Sequence, residues 1–389
     1  MTTDFFRGTA GDAAGGPASE GWGKLAPTLG EYTEPPLLRL ACRDSEGRAA
    51  GEREMLRQIG DAVTRAGYGF SRTLVVTYYV ALKTNPFVVL TGAEGRGKTE
   101  FVQLFAEALV GRDSPQYALI TGGSVLPLGA NEPRYYRSLQ ERFSSLRFLE
   151  LLREAASPGN TGRLYLVCFD ALHPSELDYY FASLLRVTSD GETQLNLPGF
   201  SYDHLPVVPP NVYITATVNV AEQSYTLSPD VLRHAGLIEF RAPTGPRPSA
   251  ERLSWTLPPP VGYQRLWLRA AVRDVVASRM RLAAILGASE FSRLRPSERL
   301  AQLLWRAGQV LLRPTLNELE MFVANSFDEH GDGLFDSYDR QSNAQIAFDA
   351  QVIQRVLWRL RLSDDMELRQ DLAAYLDQLA LAADRQAVA

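Results

Sequence analysis

Eight residues constrain this chain more than any other feature: Gly92-Ala-Glu-Gly-Arg-Gly97-Lys98-Thr99, which match the pattern G-x-x-x-x-G-K-[ST]. An apolar run, Phe87 to Leu90, precedes the string, and a helical stretch, Glu100 to Val110, follows it. Glycine reaches backbone conformations closed to other residues. Successive N–H groups of such a loop can therefore converge on phosphate oxygens at a helix N-terminus. Lys98 supplies a compact positive charge to those oxygens, and Thr99 supplies a hydroxyl to Mg²⁺. The expected cradle is Gly92, Gly95, Arg96, Gly97, Lys98, Thr99 and Glu100. Glu94 is out of keeping with it, because a carboxylate repels polyphosphate unless Arg96 pairs with it or both side chains face solvent.

A strand, loop and helix at that string call for a layered α/β domain, and the rest of the chain supplies one. Short apolar runs recur at Tyr117 to Ile120, Leu164 to Phe169, Val212 to Thr217 and Leu237 to Phe240, and with Phe87 to Leu90 they read as five buried parallel strands. Helical stretches at Glu100 to Val110, Arg134 to Ala156 and Glu176 to Arg186 alternate with them, and Thr188 to Pro210 reads as a hairpin insertion. Asp170 closes the third run, where a carboxylate can hold the water shell of Mg²⁺, and Asn219 closes the fourth, within reach of a γ-phosphate or an attacking water. Hydrolysis needs a group that orients that water. The position after Asp170 is Ala171, which cannot do so.

Around this core, residues 1–35 are rich in Gly, Ala, Pro, Thr and Ser and read as a flexible arm. Residues 36–85 are a helical lead-in, 86–245 the α/β core, 246–262 a proline-rich connector that includes Pro258-Pro259-Pro260, and 263–389 a smaller all-helical lid. No stretch approaches a membrane span, and no charged-then-apolar leader opens the chain. Cys42 and Cys168 are the only cysteines, which leaves neither a disulfide framework nor a zinc site and suits a reducing cytoplasm. Net charge is −5, which argues against binding nucleic acid by bulk charge. The charge is segregated, however: residues 263–313 carry ten arginines against Asp274, Glu290 and Glu298, and residues 314–389 carry six against fourteen acids. Of forty basic residues only Lys24, Lys83 and Lys98 are lysine, so a lysine here is a candidate for a position that needs one.

With these residues in view, the chain resembles the AAA+ P-loop ATPases and, within them, the McrB-like branch associated with modification-dependent DNA restriction. Tyr79-Val-Ala-Leu-Lys-Thr-Asn-Pro-Phe-Val-Val-Leu-Thr-Gly92 is similar to that branch's lead into its phosphate loop. Pro209 to Asn219 and Ser228 to Phe240 are similar to its sensor strand and the segment after it, and Asn317-Glu318 and Phe348 to Gln354 to its helical lid. The likeness runs over roughly residues 55 to 380. It implies ATP or GTP with Mg²⁺ as ligands, Asn219 as first sensor, and a ring of like or unlike AAA+ protomers with nucleotide between them. A McrC-like nuclease or an active paralogue would be a partner, with indirect DNA contact and no membrane.

The departures from that branch are concentrated at the chemistry. Asp170-Ala171 stands where Asp-Glu is usual, His173 where an Asn follows, and Arg233-His234 where Asp-Arg carries the arginine finger, so Arg233 would be a displaced finger. Pro314, with Arg313 beside it, stands where the lid usually offers an Arg. What survives, Lys98, Thr99, Asp170 and Asn219, suits a degenerate protomer that binds nucleotide and hydrolyses it weakly. A MoxR-like remodelling chaperone with real ATPase activity and a nucleotide-free scaffold are the competing expectations. Glu176 and Glu222 read as surface acids before replacement bases. Arg265, Arg269 and Arg273 fall at i, i+4 and i+8 as one basic stripe that Arg279 and Arg281 would widen. Asp328-Glu-His-Gly-Asp332 reads as an exposed acidic loop, and Trp267, Trp305 and Trp358 as lid core.

Overall fold

The computed structural model describes residues 51–66, 69–121, 146–179, 185–187, 193–196, 206–219, 228, 231, 235–240, 261–292, 294–308, 313–357, 366–368, 370–371 and 374. All lie in one compact unit, Ala41–Ala389. The expected arm over 1–35 and most of the proline-rich connector fall outside the described residues. No described helix is long and apolar enough to cross a membrane.

Two helices lead in, α1 (Glu52–Arg65) and α2 (Arg72–Thr84), the second started by Ser71, whose side chain accepts from Leu74 N. They are followed by β1 (Phe87–Gly92), α3 (Lys98–Val110), β2 (Tyr117–Thr121), α4 (Leu146–Ala156), β3 (Tyr165–Leu172) and α5 (Pro174–Tyr179). The antiparallel pair β4 (Leu185–Val187) and β5 (Thr193–Leu195), then β6 (Val212–Asn219) and β7 (Gly236–Glu239), complete the strands. The sheet has five parallel strands in the order β2-β3-β6-β1-β7.

The apolar runs of β1, β3, β6 and β7 are buried on both faces, as parallel strands between helices must be, whereas the edge strand β2 buries Ala118 and Ile120 and leaves Leu119 exposed. Phe87, Val89, Tyr165, Val167, Phe169, Ile214, Ala216 and Val218 point to one side, against Phe148, Leu151 and Leu152 of α4. Val88, Leu90, Leu166, Cys168 and Tyr213 point to the other, against α2 and α3. The second side is an aromatic core, in which Tyr78, Phe101, Phe105, Tyr79, Tyr213 and Trp267 meet mainly edge to face.

The helices beyond the connector are α6 (Val261–Ala270), α7 (Val275–Leu286), α8 (Ala288–Ser292), α9 (Glu298–Arg306), α10 (Arg313–Asn325) and α11 (Arg340–Val352). They join the same core through buried polar braces. Gln264 of α6 accepts from Leu164 N (3.0 Å) and from the Gln116 side chain (2.7 Å). Asn325, at the end of α10, is bonded through its side chain to both Val272 N (2.8 Å) and Val272 O (2.8 Å) and to Thr84 Oγ1 (3.1 Å). At the centre, the Lys83 ammonium of α2 donates to Glu52 Oε1 of α1 (2.6 Å) and to Asn325 O (3.1 Å), and both side chains are 0% exposed. The Tyr79 hydroxyl donates to the same Glu52 oxygen. Burial pulls the Lys83 pKa below the usual lysine range, and Glu52 pulls it partly back.

Four expectations need correction. The helix expected over Glu176 to Arg186 is described as α5 only through Tyr179, and Leu185–Val187 is instead a strand paired with β5, a pairing that overrides local helical periodicity. Trp305 is not lid core but 71% exposed, on the outer face of α9. The acidic loop is not exposed at its head, because Asp328 is buried and its carboxylate accepts from His330 N and Asp332 N while pairing with Arg53 at 3.1 Å. The arginine stripe also breaks up. Arg273 lies past the end of α6, 5.0 Å over the Tyr213 ring, Arg279 pairs with Glu320 at 2.7 Å, and Arg281 donates to Phe327 O and Asp328 O. Trp358 lies outside the described side chains.

The knot at Lys83 gives a stability prediction. Lys83→Met leaves the Glu52 carboxylate buried without its cation and is expected to cost about 3–5 kcal/mol in urea unfolding. Adding Glu52→Gln, which keeps an acceptor for Tyr79, is expected to restore at least half of the loss. A single variant as stable as the parent would show that the pair does not hold these helices.

Candidate functional site

The loop after β1 is built from glycines that have no substitute. Gly92, Gly95 and Gly97 have φ of 149°, 70° and 85°. A Cβ on Gly92 would stand 2.4 Å from Phe240 O, so β1 and the residue after β7 approach as closely as they do only because no side chain intervenes. Gly97 caps α3, and its carbonyl accepts from Phe101 N at 2.9 Å. The N-terminus of α3 therefore opens onto the loop, the arrangement in which unpaired N–H groups attract anions.

Lys98, the first residue of α3, is buried, and its ammonium donates back to Gly92 O (3.0 Å) and Ala93 O (2.8 Å). Burial lowers its pKa from the ordinary lysine value; Asp170, then Glu100 and Glu94, oppose this, and Arg96 adds to it. Glu94, Gly95, Arg96 and Glu100 are exposed, so Glu94 and Arg96 face solvent.

Asp170 lies at the carboxyl end of β3, one strand beyond β6. Its Oδ1 accepts from Thr99 Oγ1 (2.5 Å) and from Thr217 Oγ1 (2.8 Å). Thr217 in turn accepts from Ala171 N at 2.8 Å. The β3–β6 register slips between Phe169 and Leu172, and within that slip Ala171 has φ of 49°, a left-handed conformation uncommon for alanine. Thr217 thus fastens both the carboxylate and the irregular backbone beside it. Asn219, exposed at the end of β6, is in register with Gly92.

The structure therefore brings Lys98, Thr99, Asp170 and Asn219 to one edge, at the carboxyl ends of β1, β3 and β6. Open α/β sheets bind ligands there, where the strand order turns, and β1 lies between the last two strands while its chain crosses to β2 on the far side. A hydroxyl beside one carboxylate fits a small hard cation that takes the rest of its shell from water and phosphate. Among the described residues no group of three or more His, Cys, Asp or Glu could hold a metal by itself.

Other sequence candidates lie elsewhere. Glu176 is not a surface acid. It is buried, and its carboxylate accepts from His173 N at 2.5 Å, capping α5. Ala171 is exposed and offers only a methyl group. Arg313 is exposed at the start of α10, and Asn317 accepts from Arg279 at 2.8 Å. Arg233 and Glu222 fall outside the described residues. Cys168 is buried beside Asp170 and Tyr117, and burial raises its thiol well above the usual range.

No protein-family model matches this chain, and no curated protein matches it. The geometry thus stands alone, as the carboxyl edge of a five-stranded parallel sheet in an α/β protein.

Thr217 is the residue that reading the sequence for single site positions misses. A signal was there: Thr215, Thr217 and Asn219 alternate along an apolar strand, which puts three polar side chains on one face. Thr217→Val keeps the shape but leaves Ala171 N unpaired and removes a donor from Asp170. It is expected to cost about 1–3 kcal/mol in urea unfolding, and Thr217→Ser much less. Equal stability of the Val and Ser variants would show that the hydroxyl carries no such role.

Proposed function

We propose that this chain is a McrB-like AAA+ protomer that binds ATP or GTP with Mg²⁺, hydrolyses it weakly, and uses nucleotide to assemble with other protomers in a DNA-directed defence complex. The observation that carries the reading is the meeting of Lys98, Thr99 and Asp170 at the glycine loop, with a methyl group at Ala171 beside them. The resemblance supplies the biology, and the site supplies the chemistry.

In this reading the loop backbone and α3 N-terminus receive the phosphates, and Lys98 leaves Gly92 O and Ala93 O to meet the β- and γ-oxygens. The Thr99 hydroxyl, now on Asp170, and the Asp170 carboxylate would together hold the cation, Thr99 directly and Asp170 through water. A bound Mg²⁺ would supply charge neutralisation for the phosphates. Asn219, opposite Gly92, would touch the γ-phosphate or the water behind it. No carboxylate follows Asp170 to take the water's proton, so ground-state binding persists while the step that needs a base is slowed by about 10²- to 10⁴-fold. Nucleotide then serves as a bound ligand that favours one assembled state.

Two variants test this together. Saturating nucleotide with Mg²⁺ is expected to raise the melting temperature of the parent, and Lys98→Ala to abolish the rise. Ala171→Glu, at an exposed position with room for a longer side chain, is expected to raise turnover by about tenfold or more. A nucleotide shift undiminished in Lys98→Ala would overturn the binding site. Fast Mg²⁺-dependent hydrolysis by the parent would overturn the account of Ala171.

A further inference from the structure

The amino ends of the strands carry a second feature that the nucleotide reading does not use. A cleft of about 490 Å³ opens between the turn after α4 and the outer face of α6, lined by Gly159, Thr161, Gly162, Arg163, Arg265, Leu268 and Arg269. Arg163 stands two residues before the start of β3, whereas Asp170 lies near that strand's other end. At about 3.3 Å per residue, the strand sets Arg163 roughly 23 Å from Asp170.

Three guanidinium groups converge on this cleft, and all three side chains are exposed. Arg265 and Arg269 are one helical turn apart, and among the described residues neither forms an ion pair with an acid. Arg163 lies against the Tyr165 hydroxyl, which itself donates to Glu154 at 3.1 Å. This concentration of positive charge stands on a chain whose net charge is −5.

Both walls are held rigidly. The buried Asn211 side chain donates to Ala155 O (3.2 Å), Asn160 O (3.1 Å) and Arg163 O (3.0 Å), fixing the turn on one side. Gln264, the residue before Arg265, holds α6 to Leu164 N on the other. Open space surrounds the position a Cβ would take on Gly159, and on Gly162 that position faces Arg265 Nε at 3.5 Å. The backbone there is bare, so a ligand can approach it closely.

We infer that this cleft is a second anion site, separate from the loop at Lys98, which binds phosphate groups through Arg163, Arg265 and Arg269. The planar forks of three arginines match phosphate oxygens in pairs. Three positive charges in one rigid cleft exceed what a lone carboxylate neutralises and suit a run of phosphates. That run comes either from a nucleic-acid backbone or from a free polyphosphate, and the two have the same contacts here.

The test uses the full chain carrying Lys98→Ala, so that the loop at the opposite edge contributes nothing and its failure or success is read separately. Tripolyphosphate titrated by calorimetry, and a labelled single-stranded oligonucleotide followed by anisotropy, are measured with and without Arg265→Gln/Arg269→Gln. Both substituted residues are exposed, and an unchanged melting temperature checks that the double variant folds. At least one ligand is expected to bind and to lose about tenfold or more in affinity in the double variant. For the oligonucleotide, raising salt from about 50 to 200 mM is expected to weaken binding roughly 10- to 20-fold, as three phosphate contacts on a single strand require. Displacement of tripolyphosphate by the oligonucleotide identifies a nucleic-acid backbone as the source; tripolyphosphate binding without displacement identifies a free polyphosphate. The inference is overturned if neither ligand binds, or if binding is the same with both arginines replaced.

Discussion

The buried pairing of Lys83 with Glu52 is the constraint from which the placement of the site follows. Two charges removed from water in this way are tolerated only when each is well matched. Here Lys83 has a carboxylate oxygen and the carbonyl of Asn325, and Glu52 Oε1 has the ammonium and the Tyr79 hydroxyl, while Glu52 Oε2 is buried without a hydrogen-bond partner among the described residues, so the pair holds by its Oε1 contacts alone. Three chain segments, α1, α2 and the end of α10, are thereby held at one point. One of them is α2, which passes through Asn85 and Pro86 directly into β1. With the end of α2 fixed, the direction of β1 is fixed, and with it the direction in which the glycine loop leaves the sheet.

Register carries that order across the edge. Gly92 is opposite Asn219, Cys168 is opposite Thr215, and the slip after Phe169 brings Asp170 to Thr217. In a parallel sheet every strand delivers its carboxyl end to the same side, so polar residues placed last in apolar runs meet without any further instruction. The close approach at Gly92 and the left-handed Ala171 are local departures at that edge, where the backbone must turn away from the sheet. Strain of this kind persists only when the surroundings hold it, and the Thr217 hydroxyl on Ala171 N is such a hold.

This explains what the sequence disclosed and what it withheld. The five strands and the loop were legible because each is a local pattern: an apolar run four to six residues long, or a fixed spacing of glycines before Lys98. Asp170 and Asn219 were legible because they terminate such runs. Thr217 was hidden by sitting two residues before the strand's last residue, Asn219, where a threonine reads as a β-former; its contact with Asp170 depends on the register of two strands some fifty residues apart. The head of the acidic loop misled for a related reason. Asp328 looks solvated until Arg53, far away in the chain, is placed beside it. Trp305 misled in the opposite direction, since an aromatic residue among leucines belongs to the core only if its own helical face turns inward, and α9 buries Leu300, Leu303 and Leu304 instead.

The division of labour between the two cations follows from the same geometry. Both described lysines are buried, Lys83 wholly and Lys98 almost so, whereas the arginines around the cleft are exposed. An ammonium is a compact charge whose three donors can be shared among acceptors in a tight space: Lys83 divides its donors between Glu52 and Asn325 O, and Lys98 between Gly92 O and Ala93 O. A guanidinium is planar, larger and carries five donors, so at Lys83 it would displace Tyr79 or Asn325, and at Lys98 it would fill the mouth of the loop. Arginine suits the opposite edge, where the cleft is open and a fork can meet paired oxygens. At the two described lysines, in a chain whose positive charge is otherwise almost all arginine, volume rather than charge sets the limit.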